Sequence, residues 1–476
     1  MCILFIWYID AVLVKIQLYK VIFVNKRSTD GDFLHSAHLN TKSVNKYLNK
    51  NLSLSVWMIR YFSSTSRLNE NFLQWFVGFS DAESNFCINP TLKKDKVTIS
   101  SFSFMFKIAL HKDDIGVLNY LHSKLGVGNV RLYKNECIFN VTDRQGVKLL
   151  ISIFDKYNLN TSKHLDYLDF KKAFNIYIDR EQDLSTSLVK DRILELKNKM
   201  NTNRVNFDRP ENSKIVITKS WLLGFIEGDG SFFVRRDNLT PVFCIEITQV
   251  QLEVLLKIKE FLERSLAFDT YSMYKLKNSS TIAVTTLKAR GNSKSSVALT
   301  IKNVRVLNNY LVPFLDDMSF LTKKGKDFQD FKILCKVVYN GAYRKDEIKR
   351  IMLKLSYTMN NYRLSTNTTN ALSLSIDEWD KLFGATPSIE YLYDGRVRDI
   401  LTGKGIHQQS SCVYEIRELD GEVLMANTLS EAASIVGVYP DTLSKYLDVG
   451  ISCDDVEHWV LLNNYKVRRV AVFSLR

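Results

Sequence analysis

Trp75 to Phe86 reads WFVGFSDAESNF, and Trp221 to Phe232 reads WLLGFIEGDGSF. The two stretches align without a gap: both open on tryptophan, share a glycine and two phenylalanines, and set two acidic residues two positions apart at the end of an apolar run. The duplication implies two similar half-sites, each supplying a carboxylate. An enzyme that acts twice on one near-symmetric substrate needs such a pair, and duplex nucleic acid is the obvious substrate.

The pattern around the motif repeats along the chain. After the apolar helix Phe72–Glu83, alternating stretches predict strands at Asn85–Asn89 and Ser101–Leu110. A helix follows at Asp113–Leu125, with Asp113 or Asp114 as its cap, then strands Gly128–Tyr133 and Glu136–Thr142 and a helix at Asp143–Tyr157. The second copy predicts helix Lys219–Gly228, strands Ser231–Arg235 and Val242–Val250, helix Gln251–Ser265, strands Thr270–Leu276 and Ser296–Lys302, and helix Asn303–Phe314. Later markers recur too. Thr161–Phe170 (TSKHLDYLDF) echoes Thr322–Phe331 (TKKGKDFQDF), and Ile193–Arg204 (ILELKNKMNTNR) echoes Ile351–Arg363 (IMLKLSYTMNNYR). The offsets are 146 at the acidic motif, 161 at the lysines and 159 at the Met-Asn pair, as a duplication with an insertion in the second copy produces.

Of 476 residues, 65 are Lys or Arg and 51 Asp or Glu, a net charge of +14 that favours a polyanionic partner. The seven cysteines are scattered without a CxxC pair, which excludes a disulfide framework and a zinc site of that kind. No HxH or HxxxH spacing joins any of the seven histidines, which argues against histidine-metal nuclease motifs. No small-molecule cofactor is implied. Only six prolines occur beside abundant Lys, Asn, Ile, Phe and Tyr, a bias that hints at an A/T-rich, organellar coding genome.

The acidic motif can support a definite chemistry. Gly224 and Gly228 lie one helical turn apart, as do Gly78 and Ala82, so two helix backbones can approach through those faces. Glu83 and Asp229 would then emerge side by side. Two adjacent carboxylates repel, and a divalent cation removes the conflict; oxygen ligands with water suit Mg2+. The bland alternative makes the glycines ordinary packing positions and the acids solvated helix ends, and repetition of the whole pattern weighs against it.

At this point the paired motifs resemble those of the LAGLIDADG homing endonucleases, in the single-chain form with two tandem copies, over residues 70 to 365. The resemblance implies an α+β fold: two pseudo-symmetric αββαββα halves whose motif helices form the interface and whose antiparallel sheets enter the DNA major groove. It implies Glu83 and Asp229 as metal ligands and catalytic acids, with Asp81 and Glu227 structural. Lys163 and Lys324 take the place of the family's active-site lysine, with a plain phosphate contact or a solvated helix-end lysine as the other readings. Gln249 is a candidate for positioning water, with Lys112 its aligned counterpart. Ser84 stands where the family usually has glycine, as at Gly230, and serine is expected to fit a left-handed helix end less easily.

The candidates for DNA contact are Lys93, Lys94, Lys96, Lys107, Arg131, Lys134, Arg235, Arg236, Lys275 and Lys277, each equally readable as a solvated charge. The tail resembles a small modular DNA-binding motif. A strand pair turning at Asp420-Gly421 precedes a helix-turn-helix at about 428–448, with Ser430 capping its first helix and Thr442, Ser444, Lys445 and Tyr446 as contacts on its second.

The expected domains are an N-terminal apolar and basic extension (1–68), two halves (69–205 and 206–368) and the C-terminal region (369–476). The apolar start is interrupted by Asp10, Lys15 and Lys20, so a membrane-associated N-terminus is not the favoured reading. The whole reads as a monomeric, Mg2+-dependent, sequence-specific double-strand DNA endonuclease, intron-encoded and mitochondrial. The alternative is a group I intron RNA maturase that holds intron RNA on the same scaffold.

Overall fold

The computed structural model describes residues 69–179, 186–289, 291, 293–368, 373–406, 411–419, 421–448 and 458–474; the expectations for residues 1–68 and for the turn residue Asp420 lie outside them. The first half runs α1 (Glu70–Glu83), β1 (Ser84–Leu92), β2 (Ile99–His111), α2 (Ile115–Leu125), β3 (Asn129–Leu132), β4 (Glu136–Val141), α3 (Arg144–Lys156), α4 (Lys163–Asp179) and α5 (Thr186–Asn198). The second runs α6 (Lys219–Asp229), β5 (Gly230–Arg235), β6 (Thr240–Thr248), α7 (Leu252–Ser265), α8 (Thr270–Lys277), β7 (Ile282–Leu287) and β8 (Ser296–Ile301). It continues with α9 (Val304–Val306), which passes through a π turn into Val312–Asp316, then α10 (Lys324–Tyr339) and α11 (Asp346–Ser356).

Each half folds its strands into a four-stranded antiparallel sheet, in the orders β1-β2-β4-β3 and β5-β6-β8-β7. Alternation decides which face is buried. Phe86, Ile88, Phe104, Phe106 and Ile108 turn toward the helices, while Asn85, Asn89 and Ser103 turn to solvent. The registers match between halves, Phe86 opposite Phe106 and Phe232 opposite Phe243, and these rings sit at the centre of each core.

The Met-Asn repeat has a structural reason. Asn201 and Asn360 both adopt φ +56, the left-handed region that asparagine tolerates better than most residues. Each then donates its side-chain amide to the carbonyl of a motif-proximal phenylalanine, Asn201 to Phe86 at 3.0 Å and Asn360 to Phe232 at 2.9 Å. Arg204 bridges Asp166 and Asp169, as Arg363 bridges Asp327 and Asp330. These bonds fasten the end of each half onto its first strand.

The structure departs from the sequence reading at several places, among them the strand β7 (Ile282–Leu287), which the sequence reading did not include. Thr270–Leu276, expected as a strand, is the helix α8, because Asp269 caps it by accepting from the Ser272 amide and hydroxyl, and its buried residues Ser272 and Leu276 lie four apart. Neither Asp113 nor Asp114 caps α2 with its side chain. The His111 ring caps a preceding 3-10 turn instead, while Asp113 accepts from Ser365 and Asp114 from Lys323. In the tail, Thr428 and not Ser430 caps the first helix, accepting from the Glu431 amide.

The tail holds α12 (Ile376–Phe383), the hairpin β9 (Ile389–Tyr391) and β10 (Val397–Asp399), and a sheet ordered β12-β11-β14-β13 from β11 (Cys412–Glu418), β12 (Val423–Ala426), β13 (Val460–Leu462) and β14 (Tyr465–Ala471). Helices α13 (Leu429–Val436) and α14 (Pro440–Asp448) pack on that sheet, joined through Gly437 at φ +76. Buried Arg305 of α9 ties the tail to the second half by donating to the carbonyls of Gly395 at 2.7 Å, Val472 at 3.3 Å and Ser411 at 3.4 Å.

Helices α1 and α6 meet backbone to backbone. A Cβ on Gly78 would stand 2.0 Å from the Trp221 carbonyl oxygen, and one on Gly224 would stand 2.1 Å from that of Trp75. Gly78→Ala therefore forces the helices apart and should cost at least about 3 kcal/mol in urea denaturation. Gly116→Ala, whose added methyl meets nothing within 4 Å, is the control and should leave stability unchanged or slightly raised.

Candidate active site

The helix contact brings two acids from each motif to one place and gives them different work. Asp81 is fully buried and accepts from the backbone amides of Asn160 at 2.7 Å and Thr161 at 2.9 Å, and from the Trp221 indole of the other motif at 2.9 Å. Glu227 repeats this, accepting from the Leu321 and Thr322 amides and from the Trp75 indole at 2.9 Å. Burial raises the pKa of both, and the accepted hydrogen bonds work against that rise. Asp81 and Glu227 thus fix the loops that lead into α4 and α10.

Those loops deliver Lys163 and Lys324. Neither lysine is a solvated helix-end charge: Lys163 Nζ donates to the carbonyls of Ala82 at 2.6 Å and Ser80 at 3.4 Å, and Lys324 Nζ donates to those of Gly228 at 2.9 Å and Gly230. Each ammonium caps the negative end of its own motif helix. Burial pulls both pKa values down, opposed most by the acid of the opposite motif, Asp229 for Lys163 and Glu83 for Lys324. Both halves therefore contribute to both centres.

Glu83 and Asp229 are half-buried at the ends of α1 and α6. Burial pushes Asp229 up to about 7, opposed by Lys163 and reinforced by the Glu83 carboxylate. Burial likewise raises Glu83, with Lys163 and Lys324 opposing. The four interface positions lie directly behind them: Gly78 and Gly224 at the backbone contact, and Ala82 against Gly228, where an added Cβ would stand 2.2 Å from the Ala82 methyl.

Two cavities open beside the acids. One is lined by Glu83, His111, Asp114, Lys323 and Lys324, the other by Lys163, Asp229, Glu246, Gln251, Lys288 and Lys294. Gln249 does not line the second; it sits exposed in a 3-10 turn after β6. Gln251, two residues on, reaches the cavity and holds the loop before Lys163 by accepting from the Ser162 amide at 3.2 Å. Its aligned partner Asp114 accepts from the Lys323 amide at 2.9 Å. The signal that would have found Gln251 is alignment of the two loops, since each side chain bonds the residue just before the buried lysine.

The concern over Ser84 does not hold. Ser84 has φ −87 and ψ 163, Gly230 φ −76 and ψ 153, so both helix ends pass into extended backbone, where serine carries no strain. The Ser84 hydroxyl donates to the Ser80 carbonyl at 2.6 Å.

The family model described as LAGLIDADG endonuclease matches this chain twice, at residues 76–174 and 222–335. The chain belongs to the LAGLIDADG homing endonuclease family. It is 34% identical over 212 residues to the probable intron-encoded endonuclease Cox1-I1b of Schizosaccharomyces pombe (strain 972 / ATCC 24843), covering 43% of this chain and 53% of that protein. It is 25% identical to the probable intron-encoded endonuclease 3 of Neurospora crassa, covering 58% of this chain and 51% of that protein, so it spans about half the length of these relatives. Among solved structures, the LAGLIDADG homing endonuclease I-GzeII in complex with its DNA target matches with TM-score 0.51 at 23% identity, over 62% of this chain and 99% of that one. I-SmaMI bound to cleaved DNA matches with TM-score 0.51 at 21% identity, over 63% of this chain and 99% of that one. These structures share the two-half LAGLIDADG fold.

The basic candidates of this LAGLIDADG chain scatter in the structure. Lys107 on β2 and Arg131 on β3 lie on the sheet away from the helices, and Lys134 is exposed in the turn after β3. Lys93, Lys94 and Lys96 are exposed in the turn between β1 and β2. Arg235 is paired with Asp237 at 2.6 Å. Arg236 is held by Ser356 and stacks on Tyr357 at 3.7 Å, so it is committed within the protein. Lys275 and Lys277 fall on helix α8 and not on a strand, and Lys275 donates to the Asn427 carbonyl of the tail at 3.0 Å. In the tail, Lys445 and Tyr446 are exposed on α14, Thr442 is half-buried, and Ser444 meets the Arg469 guanidinium at 3.3 Å.

The raised pKa of Asp229 carries a sign. Protonated Asp229 favours the fold, so in chelator stability declines as pH rises from the unfolded value near 3.8 through about 7. Asp229→Asn escapes that decline. At pH 8.5 in EDTA its Tm should exceed the wild type's by about 2–4 °C, and the gap should close below pH about 4. Equal melting at both pH values would show that the carboxylate is not desolvated.

Proposed function

We propose that this chain is a DNA endonuclease that hydrolyses both strands of a specific duplex site, using Mg2+ held by Glu83 and Asp229. The observation that supports this most is that two half-buried carboxylates with raised pKa values meet beside two lysines contributed by both halves. Such a pair is unfavourable when ionised without a cation, and neither a purely structural role nor RNA binding requires it.

The donor set fits magnesium. Among the described residues no group of three or more acidic, histidine or cysteine side chains is placed to hold a metal, and the proposed donors are the two carboxylates Glu83 and Asp229. Mg2+ characteristically takes one or two carboxylates and completes its shell with water and phosphate oxygens. When bound, it supplies a water of lowered pKa and polarises the scissile phosphate. Lys163 and Lys324 hold positive charge beside each acid and offset charge that builds on phosphate. Gln251 and Asp114 keep the lysine-bearing loops in place, and Lys107, Arg131 and the turn lysines supply groove and backbone contacts. Since both motifs are in one chain, a monomer suffices.

The solved relatives point the same way: I-GzeII was determined with its DNA target, and I-SmaMI with uncleaved target in the presence of calcium ions. One relative is a mitochondrial protein of Saccharomyces cerevisiae, which supports a mitochondrial location for this chain, as does its bias toward amino acids with A/T-rich codons. No helix among the described residues is long and apolar enough to cross a membrane. The tail, with Lys445 and Tyr446 outward, extends the duplex footprint beyond the second half.

The test is incubation with Mg2+ and duplex DNA spanning an intronless exon junction. The wild type should make a double-strand cut, and Glu83→Gln and Asp229→Asn should each slow it at least about 100-fold, or ~2.7 kcal/mol in barrier. A wild type that cuts no such duplex yet binds intron RNA tightly would transfer the reading to an RNA maturase.

A further inference from the structure

Where the two halves differ on their open sheet faces, one difference has no structural explanation within the fold. Glu246 of β6 is exposed on the face turned away from the helices, opposite Ala298 of β8. Its counterpart by register in the first half is Ala109, opposite Ile138. Its nearest strand neighbours on that face are uncharged, Cys244 and Thr248 on its own strand and Ser296 and Thr300 on the next, while Lys163, Lys288 and Lys294 line the same cavity without pairing with it. The Ser296 hydroxyl donates to Glu246 Oε1 at 2.5 Å, which orients the carboxylate and leaves Oε2 open. Among the described residues Glu246 has no ion-pair partner within 4 Å, and it joins no cluster of metal-ligating side chains with Asp229.

A carboxylate on a surface that meets a polyanion is unfavourable unless it accepts a hydrogen bond there. In the major groove the available donors are the amino groups of cytosine and adenine. Adenine sets its N7 acceptor beside the amino group, where it repels a carboxylate, whereas cytosine presents the amino donor alone. The place along the site follows from the topology. β5 leaves the end of α6 at Gly230 and β6 returns toward it, so Glu246, beside Ile245 that pairs with Gly230, lies at the inner end of the half-site and lines the Asp229 cavity.

We infer that Glu246 reads a cytosine amino group close to the cut on the Asp229 side, a base contact that the first half does not make. The inference rests on the proposed duplex substrate and adds one base identity to it.

The experiment is selection of binding sites from a randomised duplex pool by the full chain in EDTA, with wild type, Glu246→Ala and Glu246→Gln compared. The wild-type consensus should hold one inner cytosine preferred roughly tenfold over other bases. Glu246→Ala should lose that preference while the rest of the consensus stands. Glu246→Gln should move it to adenine, whose amino group and N7 an amide matches. An unchanged consensus in both variants overturns the contact, as does a uniform gain in affinity for all sequences, which would mark Glu246 as a repelling charge only. Enrichment of no duplex by the wild type would instead overturn the DNA reading itself, so the two failures are distinguishable.

Discussion

The backbone contact between α1 and α6 is the constraint on which the remaining structure depends. With a carbonyl oxygen 2.0 Å from where a Gly78 side chain would begin, the helices cannot slide or rotate without collision. That closeness lets each motif's tryptophan reach the buried acid of the other, 2.9 Å in both directions. The same acids hold the loops at Asn160–Thr161 and Leu321–Thr322, and those loops aim the lysines back at the helix ends. A small residue at one position thus sets the placement of an ammonium two elements away.

The charge balance at the helix ends follows from the same geometry. Two carboxylates and two ammoniums share a half-buried space, and burial disfavours the charged form of all four. The lysines spend their donors on helix-end carbonyls, so they moderate the acids without neutralising them through direct ion pairs. The acids are left able to accept a cation, and the wall beside them stays open on two sides. A closed salt-bridge cluster would have engaged the carboxylate oxygens and left none free for a cation.

Much of this was legible in the sequence because it depends on local rules. Alternation located seven of the eight strands in the two halves, and the small-residue spacing located the helix interface. The duplication also turned weak local signals into a paired pattern, as with Asn201 and Asn360, whose shared left-handed backbone explains why the pair recurs. What the sequence hid depends on partners distant in the chain. Thr270–Leu276 alternates like a strand, yet Asp269 caps it as a helix and the Ser272 hydroxyl on its buried face accepts from the Phe473 amide of the tail. Arg236 has the composition of a phosphate contact, and only Ser356 and Tyr357, some 120 residues on, reveal that it is committed elsewhere. Gln249 and Gln251 look equivalent in a linear reading, and the 3-10 turn decides which of them reaches the cavity.

The pattern of agreement and divergence between the halves separates scaffold from recognition. Residues that fasten each half to itself are the same in both: Asp166 with Asp327, Asn201 with Asn360, Arg204 with Arg363, Lys163 with Lys324. Around the cavities they differ: Asp114 against Gln251, Lys323 against Ser162, Ala109 against Glu246. A single chain can hold such differences because the two copies need not obey one sequence, as two subunits of a homodimer must. On the proposed duplex substrate, a pseudo-symmetric scaffold would then grip a target whose two halves are not alike, with the asymmetry on the open faces and cavity walls and outside the helix contact that holds both halves together.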